Sequence, residues 1–219
     1  MSTRIITIDG PAGAGKSTVS KLLSQKLKCV YVDTGALYRG VAFEIQRQNI
    51  DWKDDAVLEN FLKNIDLNFV MKKDSLILMS SGRDITNHIR TPEISMLASS
   101  SSAKPQVREA LLDIQRNIAK SKDAVFEGRD MGTIIFPNAT VKFFLFADLE
   151  VRAQRRFEEM SEKTKDINVV QKEMDIRDGN DSQRKTAPLK PASDAINIDA
   201  SFLTIEQVID KMLKIIEKA

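Results

Sequence analysis

The stretch with the clearest chemical meaning runs from Gly10 to Ser17, where GPAGAGKS matches the pattern G-x-x-x-x-G-K-S/T. In such a loop the backbone N–H groups surround polyphosphate oxygens, the lysine contacts the β- and γ-phosphates, and the hydroxyl binds Mg²⁺. Lys16 and Ser17 would fill these two roles. The residues expected to bind polyphosphate are Gly10, Pro11, Ala12, Gly13, Ala14, Gly15, Lys16, Ser17 and Thr18.

The flanking sequence supports this interpretation of the loop. RIITID before it is typical of a buried strand, and STVSKLLSQKL after it places its apolar residues on one face of a helix. A chance match of two glycines, a lysine and a serine or threonine is expected in roughly one in a hundred chains of this size. Nucleotide binding is therefore predicted, although the loop does not distinguish an enzyme from a switch or a motor.

Asp33 to Arg39, DTGALYR, follows the second predicted strand. Ligands of open α/β sheets bind beyond the carboxyl ends of the strands, so these residues are candidates for ligand contact. Asp33 could hold Mg²⁺ through water, which makes it, with Ser17, a candidate metal ligand. The alternative is that Asp33 only caps the following helix.

Glu127 to Pro137, EGRDMGTIIFP, follows the third predicted strand. Glu127 ends that strand, where many phosphate-loop proteins place a carboxylate linked to Mg²⁺. Arg129 and Asp130 are either an internal salt bridge or a pair of ligand contacts, and the two flanking glycines favour the second possibility.

Arginines collect in two polar segments, RAQRR at 152–156 and RDGNDSQRK at 177–185, with Arg108 at the start of another helix. In a phosphotransferase such side chains stabilise the charge on the transferring group. A solvent-exposed helix face is the alternative for Arg152 and Arg155, and an ordinary surface position is the alternative for Arg108.

Short apolar strands alternate with helical patterns, which predicts an α/β fold with a five-stranded parallel sheet flanked by helices. The predicted strands are Ile5 to Asp9, Cys29 to Asp33, Ala124 to Glu127, Val141 to Ala147 and Ile196 to Asp199. The predicted helices are Ser17–Leu27, Ala36–Gln48, Val107–Ala119, Leu149–Met160 and Thr204–Glu217.

Two regions interrupt this alternation. The first, about 50–105, contains a helix at Ala56–Lys63 and then short antiparallel strands between Asp66 and Thr86, with KKD and SSG as turns. Its last part, ASSSSAKP at Ala98 to Pro105, is either a flexible linker or a solvated turn. The second, about 151–185, is polar and can bury little core, which favours a mobile helical lid. The core is then about 1–49, 106–150 and 186–219.

Composition narrows the possible functions. The 219 residues carry a formal net charge of +2, which argues against a protein built to coat nucleic acid, and aromatic residues are too few for a stacking surface. Cys29 is the only cysteine and His88 the only histidine, so a disulfide within the chain, a cysteine metal cluster and a histidine triad are not expected. No secretory signal or membrane span is predicted, and we expect a reduced, cytoplasmic protein.

In order along the chain, the motifs resemble those of bacterial cytidylate kinase, a P-loop nucleoside monophosphate kinase family. They are GPAGAGKS, DTGALYRG, IRTPE, VREALLDIQR, GRDMGTIIFP, RAQRR and RDGNDSQRKTAPLKPASDA. The combination of GRDMGT with R-D-x-x-D-x-x-R and APL-x-PA-x-DA is highly specific. The resemblance covers Ile5 to about Ile209, and it departs from some relatives in having Ser17 in place of glycine and Glu127 in place of aspartate.

The resemblance implies an enzyme that transfers the γ-phosphoryl group of ATP to CMP or dCMP with Mg²⁺, in pyrimidine nucleotide metabolism. It also implies a P-loop NTPase fold in which the first inserted region binds the monophosphate. The implied substrate-binding residues are Thr34, Arg39, Ser99, Arg108, Arg129, Asp130, Arg177, Asp181 and Arg184. The implied catalytic residues are Lys16, Arg129, Arg184, Arg152 and Arg156. A monomer with no nucleic-acid or membrane partner is expected.

The resemblance also divides the substrate-binding residues by role. Thr34 would lie near the ribose and phosphate of CMP, and Arg39 and Arg129 would bind the phosphate. The cytosine edge would be read by Ser99, Arg108 and Asp130. The ribose would be held by Arg177 and Asp181, and Arg184 would contact the monophosphate.

Two alternatives stay open at this stage. The first is a P-loop kinase for another monophosphate or a sugar acid, which would not need the cytosine-reading residues. The second is a nucleotide switch of the GTPase kind, which would need a guanine-reading N-K-x-D motif and a D-x-x-G after a strand, and neither is found in place.

Overall fold

A computed structural model describes residues 3–72, 75–120, 122–160 and 166–218. Within these ranges the main sheet has five parallel strands in the order β2-β6-β1-β7-β8. They are β1 (Ile5–Asp9), β2 (Val30–Asp33), β6 (Ala124–Gly128), β7 (Val141–Phe146) and β8 (Ile196–Asp199). The predicted five-stranded parallel sheet is confirmed, with β1 at its centre.

Helices cover both faces of this sheet, which is why its central strand is buried along its whole length. On one face α1 (Lys16–Leu27) and α8 (Ile205–Ile216) pack through residues such as Leu23 and Met212 against Ile6 and Ile8. On the other face, Ile5, Val32 and Phe126 contact Ala119 at the end of α5 (Pro105–Ala119). The first strand is thus fully buried in this core, whereas the last strand contributes Ile198 to it.

The region from 50 to 105 contains the predicted helix and small sheet. Helix α3 spans Asp55–Asn64, and the antiparallel strands are β3 (Leu67–Lys72), β4 (Ser75–Ser80) and β5 (Arg83–Asp84). These strands, α3 and α2 (Thr34–Arg47) share one core that includes Leu37, Leu58 and Leu78. The predicted SSG turn lies between β4 and β5, whereas residues 73 and 74 of the KKD turn lie outside the described residues.

The prediction that 98–105 is a linker or a solvated turn is wrong for 98–101, which are helical, whereas 102–104 do form a turn. Thr91 caps α4 (Pro92–Ser101), and the serine tract forms the end of this helix. Ser99, Ser101 and Ser102 are all buried, because α4 packs against α2 and α7 (Ile167–Gln183). Because Ser99 and Ser102 are buried inside the protein, their hydroxyl groups can contact other side chains or a ligand rather than solvent.

The segment predicted as a lid, which keeps that name below, consists of two helices, α6 (Leu149–Glu159) and α7, with residues 161–165 between them outside the described ranges. Among the described residues its own core is small, with Ala153, Val170 and Met174 buried together. This agrees with the prediction that the segment buries little core. Strand order, phosphate loop and inserted elements together give the predicted P-loop NTPase architecture.

A single turn of π-helix, Met131–Ile135, follows β6 and was not predicted. It redirects the chain immediately after Arg129 and Asp130, beside the carboxyl end of β1. None of the helices in the described part of the chain is both long and apolar enough to cross a membrane.

Candidate active site

A cleft of about 950 Å³ lies over the carboxyl ends of β1, β2 and β6. Its walls come from the phosphate loop, α2, α4, α5, the lid and the segment after β8. The predicted residues that line it are Ala12, Gly13, Ala14, Gly15, Lys16, Ser17, Thr18, Asp33, Thr34, Arg39, Ser99, Arg108, Arg129, Asp130, Arg156, Arg177, Asp181 and Arg184. Gly10, Pro11 and Arg152 lie just behind the loop wall.

The phosphate loop needs its glycines for two different reasons. Gly13 and Gly15 have φ values of 72° and 87°, in the left-handed region that favours glycine. A Cβ atom on Gly10 would lie 1.9 Å from the carbonyl oxygen of Leu145, so the loop can leave β1 only with glycine there. Because α1 begins at Lys16, the free N–H groups of its first turn face the cleft.

Lys16 is almost buried, with 7% of its surface exposed, and its Nζ donates to the carbonyl oxygen of Pro11 at 2.6 Å. Burial lowers its pKa, and the positive charge of Arg129 lowers it further, while the carboxylate of Glu127 opposes the shift. A polyphosphate in the loop would supply the negative charge that keeps this ammonium protonated.

Ser17, Glu127 and Asp33 lie together at the base of the cleft. The Ser17 hydroxyl donates to Glu127 Oε1 at 2.8 Å, whereas Glu127 Oε2 is buried and has no hydrogen-bond partner among the described residues. Burial raises the pKa of Glu127, and the negative charge of Asp33 raises it further. A hydroxyl, an unpartnered buried carboxylate oxygen and a second carboxylate are a donor set that fits a Mg²⁺ ion completed by phosphate oxygens and water.

Asp33 has two structural roles of its own. Its Oδ1 accepts from the backbone N–H of Ala36, so Asp33 does cap α2, and its role toward Mg²⁺ stays a prediction. Its Oδ2 accepts from Arg39 at 2.7 Å and lies 3.6 Å from Arg90, whose exposed guanidinium was not predicted as part of the site. Arg39 and Arg90 would have to share the Asp33 carboxylate with any metal-bound water.

Arg129 and Asp130 do not form the salt bridge with each other that was one of the two alternatives. Arg129 Nε donates to Asp181 Oδ2 at 2.9 Å, and Asp130 pairs with Arg108. The chain bends between β6 and the π-turn, so one side chain faces the lid helix α7 and the other faces α5. Two neighbours in sequence therefore join the lid and α5 to the cleft.

Asp130 is 2% exposed and sits between two guanidinium groups. Arg108 Nη2 donates to its Oδ2, and Arg184 Nη2 lies 3.9 Å from its Oδ1. Arg108 also donates to the Ser102 carbonyl and stacks 5.2 Å from the ring centre of Tyr38, another residue that the sequence motifs did not single out. The group is buried and offers carboxylate and guanidinium edges side by side.

Asp181 accepts from the Ser99 hydroxyl at 3.1 Å and lies near Arg184. Burial would raise its pKa, but Arg129 and Arg177 outweigh burial and hold the pKa below its usual range. Arg177 is less well paired: its buried Nε has no partner among the described residues, and burial, with repulsion from Arg129, lowers its pKa to about 10. The surplus of buried cations is a feature of an anion-binding site.

The predicted lid arginines differ in position. Arg152 is buried and donates to the carbonyls of Ala147 and Ala12, and it pairs with Asp178 at 2.5 Å. Asp178 in turn accepts from the Ala12 N–H at 3.3 Å, so the lid is attached to the phosphate loop. Arg156 is at the rim, 43% exposed and 3.6 Å from Glu159. The solvent-exposed alternative for Arg152 is thus wrong.

Known proteins resemble this chain along almost its whole length. The family model described as cytidylate kinase matches residues 6–218. A cytidylate kinase from Syntrophotalea carbinolica is 42% identical over 97% of this chain and 91% of that protein. One from Caldicellulosiruptor saccharolyticus is 44% identical over 97% of this chain and 95% of that protein.

A solved structure of an uncharacterised protein from Eubacterium ventriosum superposes with a TM-score of 0.54 at 13% identity, covering 99% of this chain and 100% of that chain. That likeness concerns the fold alone.

Proposed function

This chain belongs to the cytidylate kinase family, and we propose that the cleft binds ATP on the phosphate loop and CMP against the buried Arg108–Asp130 pair, transferring the γ-phosphoryl group between them. The observation that carries the proposal is this pair: a guanidinium and a carboxylate, 7% and 2% exposed, line the same cleft as a P-loop lysine. A kinase for a sugar acid has no need of such an arrangement.

The donor side follows from the loop. Backbone N–H groups of the loop and the first turn of α1 would bind the ATP phosphates, and Lys16 would leave the Pro11 carbonyl to contact the β- and γ-phosphates. Ser17, with Glu127 and Asp33 through water, would hold Mg²⁺, which when bound would supply positive charge to the ATP phosphates. The contact of Ser17 with Glu127 orients the hydroxyl toward that position.

The acceptor side follows from hydrogen-bond polarity. Cytosine offers an N4 amino donor beside the N3 acceptor. Asp130 can accept from N4, Arg108 can donate, and Ser99 adds a hydroxyl close by. Uracil has an acceptor at O4 and a donor at N3, the reverse of cytosine. A site built for cytosine discriminates against uracil because buried groups would be left unpaired.

The rest of CMP would meet the remaining cations. Arg39 and Arg129 would bind its phosphate with Thr34 beside them, Arg177 and Asp181 would hold the ribose, and Arg184 would contact the monophosphate. The unpartnered Nε of Arg177 supports this assignment, since a buried guanidinium nitrogen needs an acceptor. Acceptance of dCMP, which lacks one ribose hydroxyl, is part of the proposal.

The transfer step needs charge compensation more than proton transfer. The attacking atom is already a phosphate oxygen, so no strong general base is required. Lys16, Arg129 and Arg184 would offset the repulsion between the two nucleotides and stabilise the transferring group. Arg152 would hold the lid against the phosphate loop, and Arg156 would close over ATP. Closure would exclude water and so limit hydrolysis of ATP. The division into core, a 50–105 insert and a 151–185 lid belongs to this proposal, as do a monomeric state and a cytoplasmic location.

A coupled ADP-release assay with ATP, Mg²⁺ and a panel of CMP, dCMP, UMP, AMP and GMP tests this function. We expect strong turnover with CMP and dCMP and little with UMP. Equal turnover with UMP would contradict the cytosine-reading roles while leaving a P-loop kinase, and turnover with none of the five would contradict the function.

A further inference from the structure

Asp9, the last residue of β1, is a buried carboxylate that the mechanism above does not use. It is 4% exposed and is not among the residues that line the cleft. Its Oδ1 accepts from the backbone N–H of Met131 at 2.9 Å, and its Oδ2 accepts from that of Gly132 at 2.8 Å. Both oxygens are thus engaged by the first two residues of the π-turn.

The contact joins two parts of the chain that are far apart in sequence. N–H groups at the start of a helical turn have no partner within the turn, so another group must accept from them. Here that acceptor comes from the strand that leads directly into the phosphate loop. In the sheet, Asp9 is paired with Gly128, so the turn is held to β1 both through the sheet and through the carboxylate.

The space around the turn allows little movement. A Cβ atom on Gly132 would lie 3.1 Å from Thr7 Oγ1 and 3.4 Å from Asp9 Oδ2. A Cβ atom on Gly128 would lie 2.7 Å from the Met131 side chain. The turn is therefore closely packed at Gly128 and Gly132, on either side of Arg129 and Asp130.

We propose that Asp9 is a positioning residue for the acceptor nucleotide: by holding the Met131 and Gly132 N–H groups it places Asp130 against the cytosine and Arg129 against the monophosphate, at a fixed distance from the phosphate loop. The proposal rests on the function proposed above. Its physical basis is that a displacement of the order of 1 Å at a reacting group can cost about 10²-fold in rate.

The main test is the isosteric variant Asp9→Asn. Asparagine keeps the shape but has one acceptor oxygen, and its amide group would oppose one of the two backbone donors. We expect KM for CMP to rise roughly 10–100-fold, KM for ATP to change less than threefold, and the CMP-to-UMP preference to fall by a similar factor.

Glu44→Gln is the matched control for destabilisation. Glu44 is also buried, accepts from Arg47, Gln48 and Ser80, and lies outside the cleft. It should lower Tm without changing the ratio of the two KM values or the base preference. If Asp9→Asn behaves like Glu44→Gln, Asp9 has only a structural role and the proposal is wrong.

A second variant covers the case in which Asp9→Asn does not fold. Gly132→Ala keeps every acceptor but forces the turn to move by a few tenths of an ångström. It should raise KM for CMP selectively, and an unchanged KM for CMP would overturn the proposal. The unmodified enzyme is measured in the same experiment: if it fails to phosphorylate CMP the proposed function fails, whereas an active enzyme with unaltered variants contradicts only the role of Asp9.

Discussion

Replacing Asp130 with asparagine should change both the base preference and the stability of the protein. Asp130 is 2% exposed and lies between the guanidinium groups of Arg108 and Arg184. The variant keeps the size of the side chain but removes the negative charge that both arginines face. It also replaces one acceptor by an amide donor, which suits the O4 atom of uracil better than the N4 amino group of cytosine.

The magnitudes follow from burial and from hydrogen-bond polarity. Removing one partner of a buried ion pair costs about 3–5 kcal/mol, and at about 2–4 °C per kcal/mol for a chain of this size this lowers Tm by roughly 6–20 °C. One correctly polarised base contact contributes about 1–3 kcal/mol of discrimination. The ratio of kcat/KM for CMP to that for UMP should therefore fall by roughly 5–150-fold.

The assay is steady-state kinetics with CMP and UMP below the Tm of the variant, together with thermal unfolding. Asp113→Asn is the control, because it makes the same chemical change at an exposed position of α5 and should alter neither quantity. An Asp130→Asn enzyme with an unchanged CMP-to-UMP ratio would refute the base-reading role, and an unchanged Tm would refute the charge balance described for this group.

Three other perturbations have defined outcomes. Lys16→Ala should lower kcat roughly 10²–10³-fold with little loss of helix content by circular dichroism, whereas the exposed Lys21→Ala should leave kcat unchanged; near-normal turnover of the first variant would contradict the mechanism. Glu127→Gln should raise the Mg²⁺ concentration needed for half-maximal rate, and EDTA should abolish turnover without unfolding the protein; an unaltered Mg²⁺ titration argues against Glu127 in metal binding. The pKa of Asp9 is raised from 3.8 to about 6, chiefly by burial, so the stability gained from its protonation is present below pH 3.8 and lost as pH rises through 6. Urea denaturation measures the free energy of unfolding, which for Asp9→Asn should not fall in this way between pH 3.8 and 6. If this free energy has the same pH slope in the variant and in the unmodified protein, the raised pKa of Asp9 is contradicted.

The phosphate loop and the five parallel strands could be predicted because their signals are local. A strand buried on both faces is mostly apolar, and a glycine loop followed by a helix has a fixed spacing. Residues at the carboxyl ends of such strands must meet at one edge of the sheet, which is why the sequence alone could predict that Asp33, Thr34 and Glu127 lie together.

The partners within the site could not be predicted in the same way. Asp130 pairs with Arg108, 22 positions earlier, and Arg129 pairs with Asp181, 52 positions later. Which of two adjacent side chains faces which helix depends on the π-turn, and the acceptor for that turn is Asp9 on another strand. These contacts depend on tertiary packing, which has no local pattern in the sequence.

The serine tract carries two conflicting signals. Thr91 followed by Pro92 is a common start of a helix, and Thr91 does accept from the Ile94 N–H. Four consecutive serines favour a turn by composition, because such residues are frequent in turns. Packing of α4 against α2 and α7 decides between the two signals, since it buries the serines and makes Ser99 available to Asp181.

Direct detection of the transferred group tests phosphoryl transfer to CMP most directly. The protein is incubated with ATP labelled in the γ-phosphate, CMP and Mg²⁺, and the products are separated. We expect the label to appear in CDP in amounts equal to the ADP formed. Label that appears only in inorganic phosphate, or that stays in ATP, would contradict phosphoryl transfer to CMP.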